Sequence, residues 1–470
     1  MKKYLMLVVT VLCGLILVAC KDDFKGTTVK FRVPSGVISN ALQQILPEFE
    51  ALHEGEIRVE LEPVTGGYSG LLEKNIYDLN NQTAPTMTIG YPDHFAVYLS
   101  GGGLENLSPY MERDNFDLSD FVKAYLPENQ LGDDGEGSYY GLPLNKSTEV
   151  MIYNKTVFDA MGYEIPQTWD DVEKLGEQIL KDCAEKKLDN LKDEDGEPIL
   201  GKDDKKPSEY LSKGTFYPFA YDSTDNAFIT ILRQWDAKYT EKVSVVKGYA
   251  VFNEEENVED TVEGLTYFQN LAKRKIFSVA ESFDESYASN AFKNLQCLIT
   301  IGSSAGVGYN VPSGDKFEIA IEPVPYRDED HKYVISQGTN VCILSKGVTE
   351  DQKNAAWELI KFLTSVENTV KFCKSAGGYL PIRESAYESE EYIKYLENPL
   401  YKTHADSAKA AKKYRGEELG YTMFVDPAFK GSSTIRTSVG SAFSRIIVQQ
   451  EDVRTVLNET IKSLGPAYQK

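Results

Sequence analysis

The chain has 470 residues, with 50 Lys and Arg against 72 Asp and Glu, so its formal net charge at pH 7 is −22. This acidic balance makes nucleic acid and anionic membrane surfaces poor partners. The length predicts about two or three domain-sized units. The 29 tyrosines suit the stacking of sugars, because each combines a flat apolar face with a hydroxyl group, although many will be core or surface residues.

The first residues predict a lipoprotein signal peptide over 1–19. Lys2 and Lys3 precede an uncharged stretch that ends at Ala19 and is followed by Cys20. The stretch is too short for a membrane-spanning helix of about 20 apolar residues. It resembles a bacterial lipobox, and cleavage would leave Cys20 as the acylated first residue of a tether over 20–26. Two acyl chains are sufficient for stable membrane anchoring. The alternative is a short anchor that is never cleaved.

Four other cysteines follow in the mature chain, at widely separated positions. No Cys-x-x-Cys pair occurs, so we expect no zinc site, and no glycine fingerprint of a cofactor site is present. Buried free thiols are the simplest interpretation, while the spacing neither requires nor forbids a disulfide. The four are Cys183, Cys297, Cys342 and Cys373.

The chain then alternates predicted strands and helices, which is typical of an α/β fold. Strands over 29–33 and 57–64 flank a helix that we expect Ser39 to cap, giving a right-handed βαβ unit with parallel strands. Ligands in such sheets bind beyond the carboxyl ends of the strands. Tyr68, in the glycine-rich loop after the second strand, is therefore placed at the edge of a cleft. Asp93 similarly follows a strand predicted over 84–91.

Further elements are predicted along the rest of the chain. Thr168 and Thr349 each precede a helical pattern as N-caps, and Gly465 and Pro466 end the last helix. Residues 181–209 are heavily charged and indicate a surface insertion or a mobile loop.

Several segments resemble the bacterial family 1 extracellular solute-binding proteins, the ligand-capturing components of ABC importers. The main one is a polar turn feeding an apolar strand, Asn145-Lys-Ser-Thr-Glu-Val-Met-Ile-Tyr-Asn-Lys155. The resemblance extends through most of the mature chain and is nearest to the glycerol-3-phosphate-binding branch. The other segments that carry it are the loop around Tyr68, Pro166 to Asp170, Cys297 to Gly306, Gln337 to Asn340, and Gly377-Gly-Tyr-Leu-Pro-Ile-Arg383.

The resemblance implies a two-lobed, periplasmic-binding-protein-like α/β fold with a ligand cleft and about three chain crossings, near 148, 336 and 376. Lobe one would contain 27–147 plus 336–375, and lobe two 148–335 plus 376–470. The protein would act outside the cytoplasm as a lipid-anchored monomer. It would close on a sugar or glycerol-phosphate solute and deliver it to a membrane permease without covalent chemistry.

The resemblance also implies ligand-binding residues. Arginine could form two hydrogen bonds with phosphate or vicinal hydroxyls. Taken alone, Arg436 is more typical of a surface or ion-pair arginine. Asp93 stands where that branch has a glutamate, and an aspartate after Tyr-Pro is also an ordinary turn former. The matching positions are Tyr68, Ser147, Ser303 or Ser304, Gly338, Tyr379 and Arg436, with Asp93 as the substitute for the glutamate.

A serine hydrolase is the alternative function. Residues 302–306 fit the pattern G-x-S-x-G after an apolar strand, with Ser304 as nucleophile and His331 or His404 as base. Asn310-Val-Pro follows so soon that little room remains for the helix that a nucleophile elbow requires. An acid-rich chain is also compatible with a glycosidase, which needs two carboxylates about 5–10 Å apart, but no pair is singled out. A purely structural lipoprotein would not explain why Tyr68, Ser147 and Tyr379 all fall in turns beside strand ends.

Overall fold

The computed structural model describes residues 24–132, 137–193, 196–415 and 419–470. The predicted signal peptide, the lipidation at Cys20 and most of the tether lie outside the described residues. The strands are β1 Thr27–Pro34, β2 Ile57–Val64, β3 Met87–Gly90, β4 Leu142–Asn154, β5 Phe219–Tyr221, β6 Thr240–Ser244, β7 Lys247–Ala250, β8 Phe277–Val279, β9 Ile299–Ser303, β10 Ile319–Glu322, β11 Tyr333–Ile343 and β12 Thr422–Phe424.

The helices are distributed along the whole chain. They are α1 Val37–Leu52, α2 Gly67–Asn80, α3 Pro92–Ser100, α4 Ser108–Asp114, α5 Lys155–Met161, α6 Trp169–Ala184, α7 Pro207–Ser212, α8 Thr224–Gln234, α9 Val258–Lys273, α10 Ala288–Lys293, α11 Glu350–Leu363, α12 Val366–Ala376, α13 Glu384–Glu388, α14 Glu390–Glu397, α15 Lys402–Lys413, α16 Ser432–Ile447 and α17 Val453–Leu464.

The βαβ unit predicted at the start of the mature chain is confirmed. Strands β1 and β2 pair in parallel, in a register that places Thr27 opposite Ile57. Helix α1 between them buries its apolar face. The prediction that Ser39 caps this helix is wrong, because α1 begins two residues earlier and Gly36 is its N-cap. Ser39 instead lies in the first turn, where its hydroxyl accepts a hydrogen bond from the Gly36 N–H at 3.0 Å.

Two long strands connect two halves of one sheet. The order is β2-β1-β3-β11-β4-β9-β5-β8, with β10 added to β4 and β12 added to β11. The carboxyl-terminal part of β11 pairs with β3 in the first half, and the carboxyl-terminal part of β4 pairs with β9 in the second. The amino-terminal part of β4, residues 142–148, pairs antiparallel with residues 336–341 of β11 between the halves.

Each half of the sheet has its own hydrophobic core. The first core takes residues from Val29 to Leu144 and from Val341 to Ile382. The second takes residues from Val150 to Ile335, together with Leu380 and a run from Ala408 to Leu464. The α/β architecture predicted from the alternation of strands and helices is therefore confirmed, with two cores that share the β4–β11 connection.

The β4–β11 connection is tightly packed at Gly338. This residue has φ of +93°, and a Cβ atom placed there would lie 2.1 Å from the Asn145 carbonyl oxygen. Only glycine fits both the backbone conformation and the space. The register shifts beyond it, between Thr339 and Asn340. A third segment joins at the same place, because the Leu380 N–H donates to the Lys146 carbonyl at 2.8 Å.

Other local predictions have mixed outcomes. Thr168 and Thr349 cap α6 and α11 through capping boxes, and Gly465 follows the last residue of α17, as predicted. The prediction that 181–209 is a surface insertion or mobile loop is wrong in part. Cys183, Leu188 and Ile199 from this region are buried in the second core, because these apolar side chains point inward.

The four cysteines of the mature chain that the structure describes are free and buried. The interpretation of these residues as buried thiols is therefore confirmed. Within the described ranges, the helices are all too short or too polar to span a bilayer.

Candidate ligand-binding site

A cavity of about 370 Å³ lies where the β4–β11 connection meets the two halves of the sheet. Seven of the eight residues predicted to bind ligand line it. Tyr68 and Asp93 come from the side of the first core, while Ser303 and Arg436 come from the side of the second. The remaining three belong to the connecting segments and are Ser147, Gly338 and Tyr379.

Three tyrosines form one wall of the cavity. The Tyr68 ring lies 4.7 Å from the Tyr91 ring, centroid to centroid, and Tyr379 lines the same cavity. The Asn145 amide donates to the Tyr68 hydroxyl at 3.2 Å, which fixes the orientation of the ring. Burial raises the pKa of Tyr68, so its hydroxyl stays protonated at neutral pH. This wall offers aromatic faces and hydroxyl groups to a small polar molecule.

Arg436 also lines the cavity, and carboxylates surround it. Its Nε is 2.6 Å from Asp225 Oδ2, and its terminal nitrogens bind Asp426 and the side-chain oxygen of Asn226. Burial alone would lower the pKa of Arg436, but Asp426 and Asp225 outweigh it and raise that pKa. With all three nitrogens engaged, this guanidinium is less suited to the phosphate-binding role that the sequence predicts.

Glu149 lies behind Arg436 at the start of the second half of β4. The Asn226 amide donates to Glu149 Oε1 at 3.0 Å, and the Tyr221 hydroxyl donates to the other oxygen. Burial raises the pKa of Glu149 to about 7, although both hydrogen bonds act in the opposite direction. Asn226 thus joins Glu149 to Arg436 in one hydrogen-bonded network.

A buried ion pair holds the connecting segments together beneath the cavity. Lys146 Nζ lies 2.5 Å from Glu128 Oε1, and both side chains are at most 1% exposed. Lys146 also donates to the Gly338 carbonyl at 3.3 Å. The Asn340 amide donates to the same Glu128 oxygen at 2.6 Å. The pair therefore ties β4 to both sides of the bulge in β11.

The sequence places the chain among known proteins. A family model for bacterial extracellular solute-binding proteins matches residues 44–400. This chain belongs to the bacterial extracellular solute-binding proteins. The sn-glycerol-3-phosphate-binding periplasmic protein UgpB of Shigella dysenteriae is 26% identical over 345 residues, covering 71% of this chain and 70% of that protein. UgpB of Escherichia coli K12 is 23% identical over 355 residues, with the same coverage.

Solved structures share the fold of this solute-binding protein. UgpB from Mycobacterium tuberculosis, in complex with glycerophosphocholine, superimposes with a TM-score of 0.69 at 18% identity, covering 93% of this chain and 98% of that one. The sugar-binding protein MalE from Xanthomonas citri gives a TM-score of 0.69 at 16% identity, covering 93% and 96%. These proteins confirm the predicted two-lobed, periplasmic-binding-protein-like fold class.

Ser304, the eighth predicted residue, does not line the cavity of this solute-binding protein. It is 0% exposed, and its hydroxyl accepts a hydrogen bond from the Thr148 N–H at 3.2 Å. Neither candidate base binds it, since the His331 ring contacts Asp236 and Asp328 and the His404 ring contacts the Tyr395 hydroxyl. A 3-10 helix follows Ser304, where a nucleophile elbow needs an α-helix. Together with the family, this geometry favours solute binding over the hydrolase.

Several cavity residues of this solute-binding protein were not predicted. Asp222 and Asp225 follow the end of β5, a position that the strand-end rule could have indicated. Tyr239 and Asp426 lie in connections whose approach to the cavity depends on long-range packing. Ser336 is in the β11 connection itself, two residues before Gly338.

Proposed function

We propose that this protein is the ligand-capturing component of an ABC importer, which binds a sugar or glycerol-phosphate-type solute and delivers it unchanged to a membrane permease. The observation that carries the proposal is the cavity, which is lined from both cores and from the connecting segments. The named ligands of the relatives, glycerol-3-phosphate for UgpB and sugar for MalE, support this class of solute. The proposal includes no covalent chemistry, no cofactor and a monomeric protein.

The two cores support a division into two lobes that close on the solute. We propose crossings near residues 148 and 336, with lobe one formed by 27–147 plus 336–375. The third crossing is proposed near residue 376. The segment just after it stays in contact with the first core, since Ile382 packs there and the Glu384 N–H donates to the Asp120 carbonyl at 2.7 Å. A solute that touches both lobes favours the closed state in proportion to its higher affinity for that state.

A solute screen tests the proposed function. We expect a sugar, an amino sugar, glycerol-3-phosphate or a glycerophosphodiester to raise the melting temperature in differential scanning fluorimetry. Ligand at 100 times its Kd adds about 2.7 kcal/mol to the free energy of unfolding. Tyr379→Ala should weaken the response, because Tyr379 lines the cavity. Tyr287→Ala, a change at a tyrosine 62% exposed and outside the cavity, is the matched control. Ser304-dependent turnover of p-nitrophenyl acetate without any solute response would contradict the proposal.

We also propose that Cys20 carries the lipid that anchors the protein to the outer face of a bacterial membrane. The basis is the sequence pattern over 1–20. Cys20→Ser is expected to prevent lipidation, since serine has no thiol to carry the diacylglyceryl group. In the wild-type protein, mass spectrometry of the membrane fraction should detect Cys20 with the added mass of two or three acyl chains. The variant should lack this added mass. An unmodified cysteine on a chain that retains residues 1–19 would favour the uncleaved anchor instead.

A further inference from the structure

The lining of the cavity contains more acidic than basic side chains. Arg436 is the one basic side chain among the described residues that line it. Two of the carboxylates, Asp225 and Asp426, share Arg436, and a third, Glu128, is paired with Lys146. The acidic lining residues are Asp93, Glu128, Glu149, Asp222, Asp225 and Asp426.

Three of these carboxylates, Asp93, Asp222 and Glu149, have no ion pair among the described side chains, and Glu149 is held only by the neutral donors Tyr221 and Asn226. Asp93 accepts a hydrogen bond from the His94 N–H at 3.0 Å, and Asp222 accepts one from the Ala288 N–H at 2.7 Å. The single positive charge of Arg436 neutralises only one of the two negative charges on Asp225 and Asp426, so one negative charge remains. Charge of one sign that is held in a concave, partly desolvated site attracts the opposite sign and repels its own. The cavity therefore disfavours an anionic solute.

Two buried hydroxyl groups in the same cavity also lack partners. Tyr239 is 7% exposed and Ser336 is 8% exposed, and neither hydroxyl oxygen has a hydrogen-bond partner in the described structure. Buried polar atoms in proteins are nearly always hydrogen-bonded, so these two point to a polar ligand. Tyr239 lies in the electrostatic field of Asp426, Arg436 and Asp93, which places the free hydroxyl at the acidic end of the cavity.

A metal ion is a poor source of the missing positive charge. No three His, Cys, Asp or Glu side chains converge as metal ligands within the described ranges. An organic cation, in contrast, is large enough to interact with several carboxylates that are too far apart to coordinate one metal ion. The tyrosine wall of Tyr68, Tyr91 and Tyr379 provides aromatic surface for such a solute, and aromatic faces also attract ammonium groups.

We propose that the solute carries an ammonium group, which binds in the part of the cavity lined by Asp93, Asp426 and the Tyr239 hydroxyl. This inference rests on the proposed solute-binding function and narrows its ligand class. Hydroxyl groups on the same solute donate to Asp222 and pair with the Ser336 hydroxyl. The ammonium group can belong to an amino sugar or to a quaternary amine. In both cases the carboxylates of the cavity recognise the positively charged nitrogen.

Isothermal titration of the full chain with matched solutes tests the inference. The probes are glucosamine against glucose, and choline and glycerophosphocholine against glycerol and glycerol-3-phosphate. We expect one of the amine-bearing probes to bind at least about tenfold more tightly than its counterpart without an ammonium group, with an affinity that falls as salt increases. Asp93→Asn should remove most of that preference, whereas Asp330→Asn, which changes an exposed aspartate outside the cavity, should not.

The outcomes separate this inference from the proposed function. Equal or tighter binding of an uncharged sugar, or tightest binding of glycerol-3-phosphate, would overturn the ammonium group and leave solute capture intact. If none of these probes and none of the wider solute screen binds, both proposals fail. Should Asp93→Asn fold poorly, the salt dependence and the paired probes on the wild-type protein still decide the result.

Discussion

Replacing Glu128 with glutamine is expected to lower the free energy of unfolding by about 3–5 kcal/mol. Glu128 lies 2.5 Å from Lys146, and both side chains are at most 1% exposed. Glutamine keeps a hydrogen-bond acceptor but not the negative charge, so the Lys146 ammonium would remain buried without a counter-ion. The loss should appear in urea denaturation at pH 7, as a lower midpoint with an unchanged slope.

Glu390→Gln is the matched control for this change. Glu390 lies 2.5 Å from Lys394, but the two side chains are 82% and 68% exposed. Exposed pairs contribute about 0–1 kcal/mol, so this variant should unfold almost as the wild type does. The double change Glu128→Leu with Lys146→Met should recover part of the loss, because it removes both charges. A loss below about 1 kcal/mol in Glu128→Gln would show that the pair does not hold the connection.

Replacing Glu149 with glutamine is expected to stabilise the protein above pH 7. It should also remove most of the decrease in the free energy of unfolding that the ionisation of Glu149 causes as pH rises. Burial raises the pKa of Glu149 from 4.5 to about 7. Between these values the folded chain holds a proton that the unfolded chain has lost. The free energy of unfolding therefore falls as pH rises, by about 3 kcal/mol at 1.36 kcal/mol per unit of pKa. Glutamine mimics the protonated acid and does not ionise.

Thermal and urea unfolding between pH 4.5 and 8.5 would measure this effect. The wild type should lose stability across the range, while Glu149→Gln should lose less and exceed the wild type at pH 8. Glu397→Gln, a change at an exposed glutamate, should follow the wild type at every pH. Parallel curves for wild type and Glu149→Gln would contradict the raised pKa.

Short sequence patterns predict the structural features, such as helix caps, that depend only on residues close together in the chain. Thr168 caps α6 because its hydroxyl accepts from the Asp171 N–H within the same turn, which a sequence motif can show. Ser39 was misassigned because a glycine three residues earlier can begin the helix equally well. The packing of residues 181–209 could not be predicted from charge density, since a few apolar side chains determine it.

The site was predicted where strand ends determine it and was missed where distant segments meet. Tyr68 lies in the first turn of α2, four residues after the end of β2, so topology places it at the cavity. Ser303 and Ser304 were indistinguishable in sequence, yet neighbouring side chains near a strand end point to opposite sides, and only Ser303 lines the cavity. Asp426 binds Arg436, which also binds the side chain of Asn226, 210 positions earlier in the chain than Arg436. No local pattern carries that information.

The first core draws on two stretches of chain that are far apart in order of synthesis. It needs residues as late as Ile382 of 470, together with residues as early as Val29. Strand β11, which lies between β3 and β4 in the sheet, is missing from a nascent chain that ends before residue 333. That core is therefore incomplete until most of the polypeptide has emerged. If the chain is exported unfolded, as the signal peptide proposed over 1–19 implies, this delay keeps it from becoming compact too early. Simple truncation near residue 150 should for the same reason yield a fragment that does not fold alone.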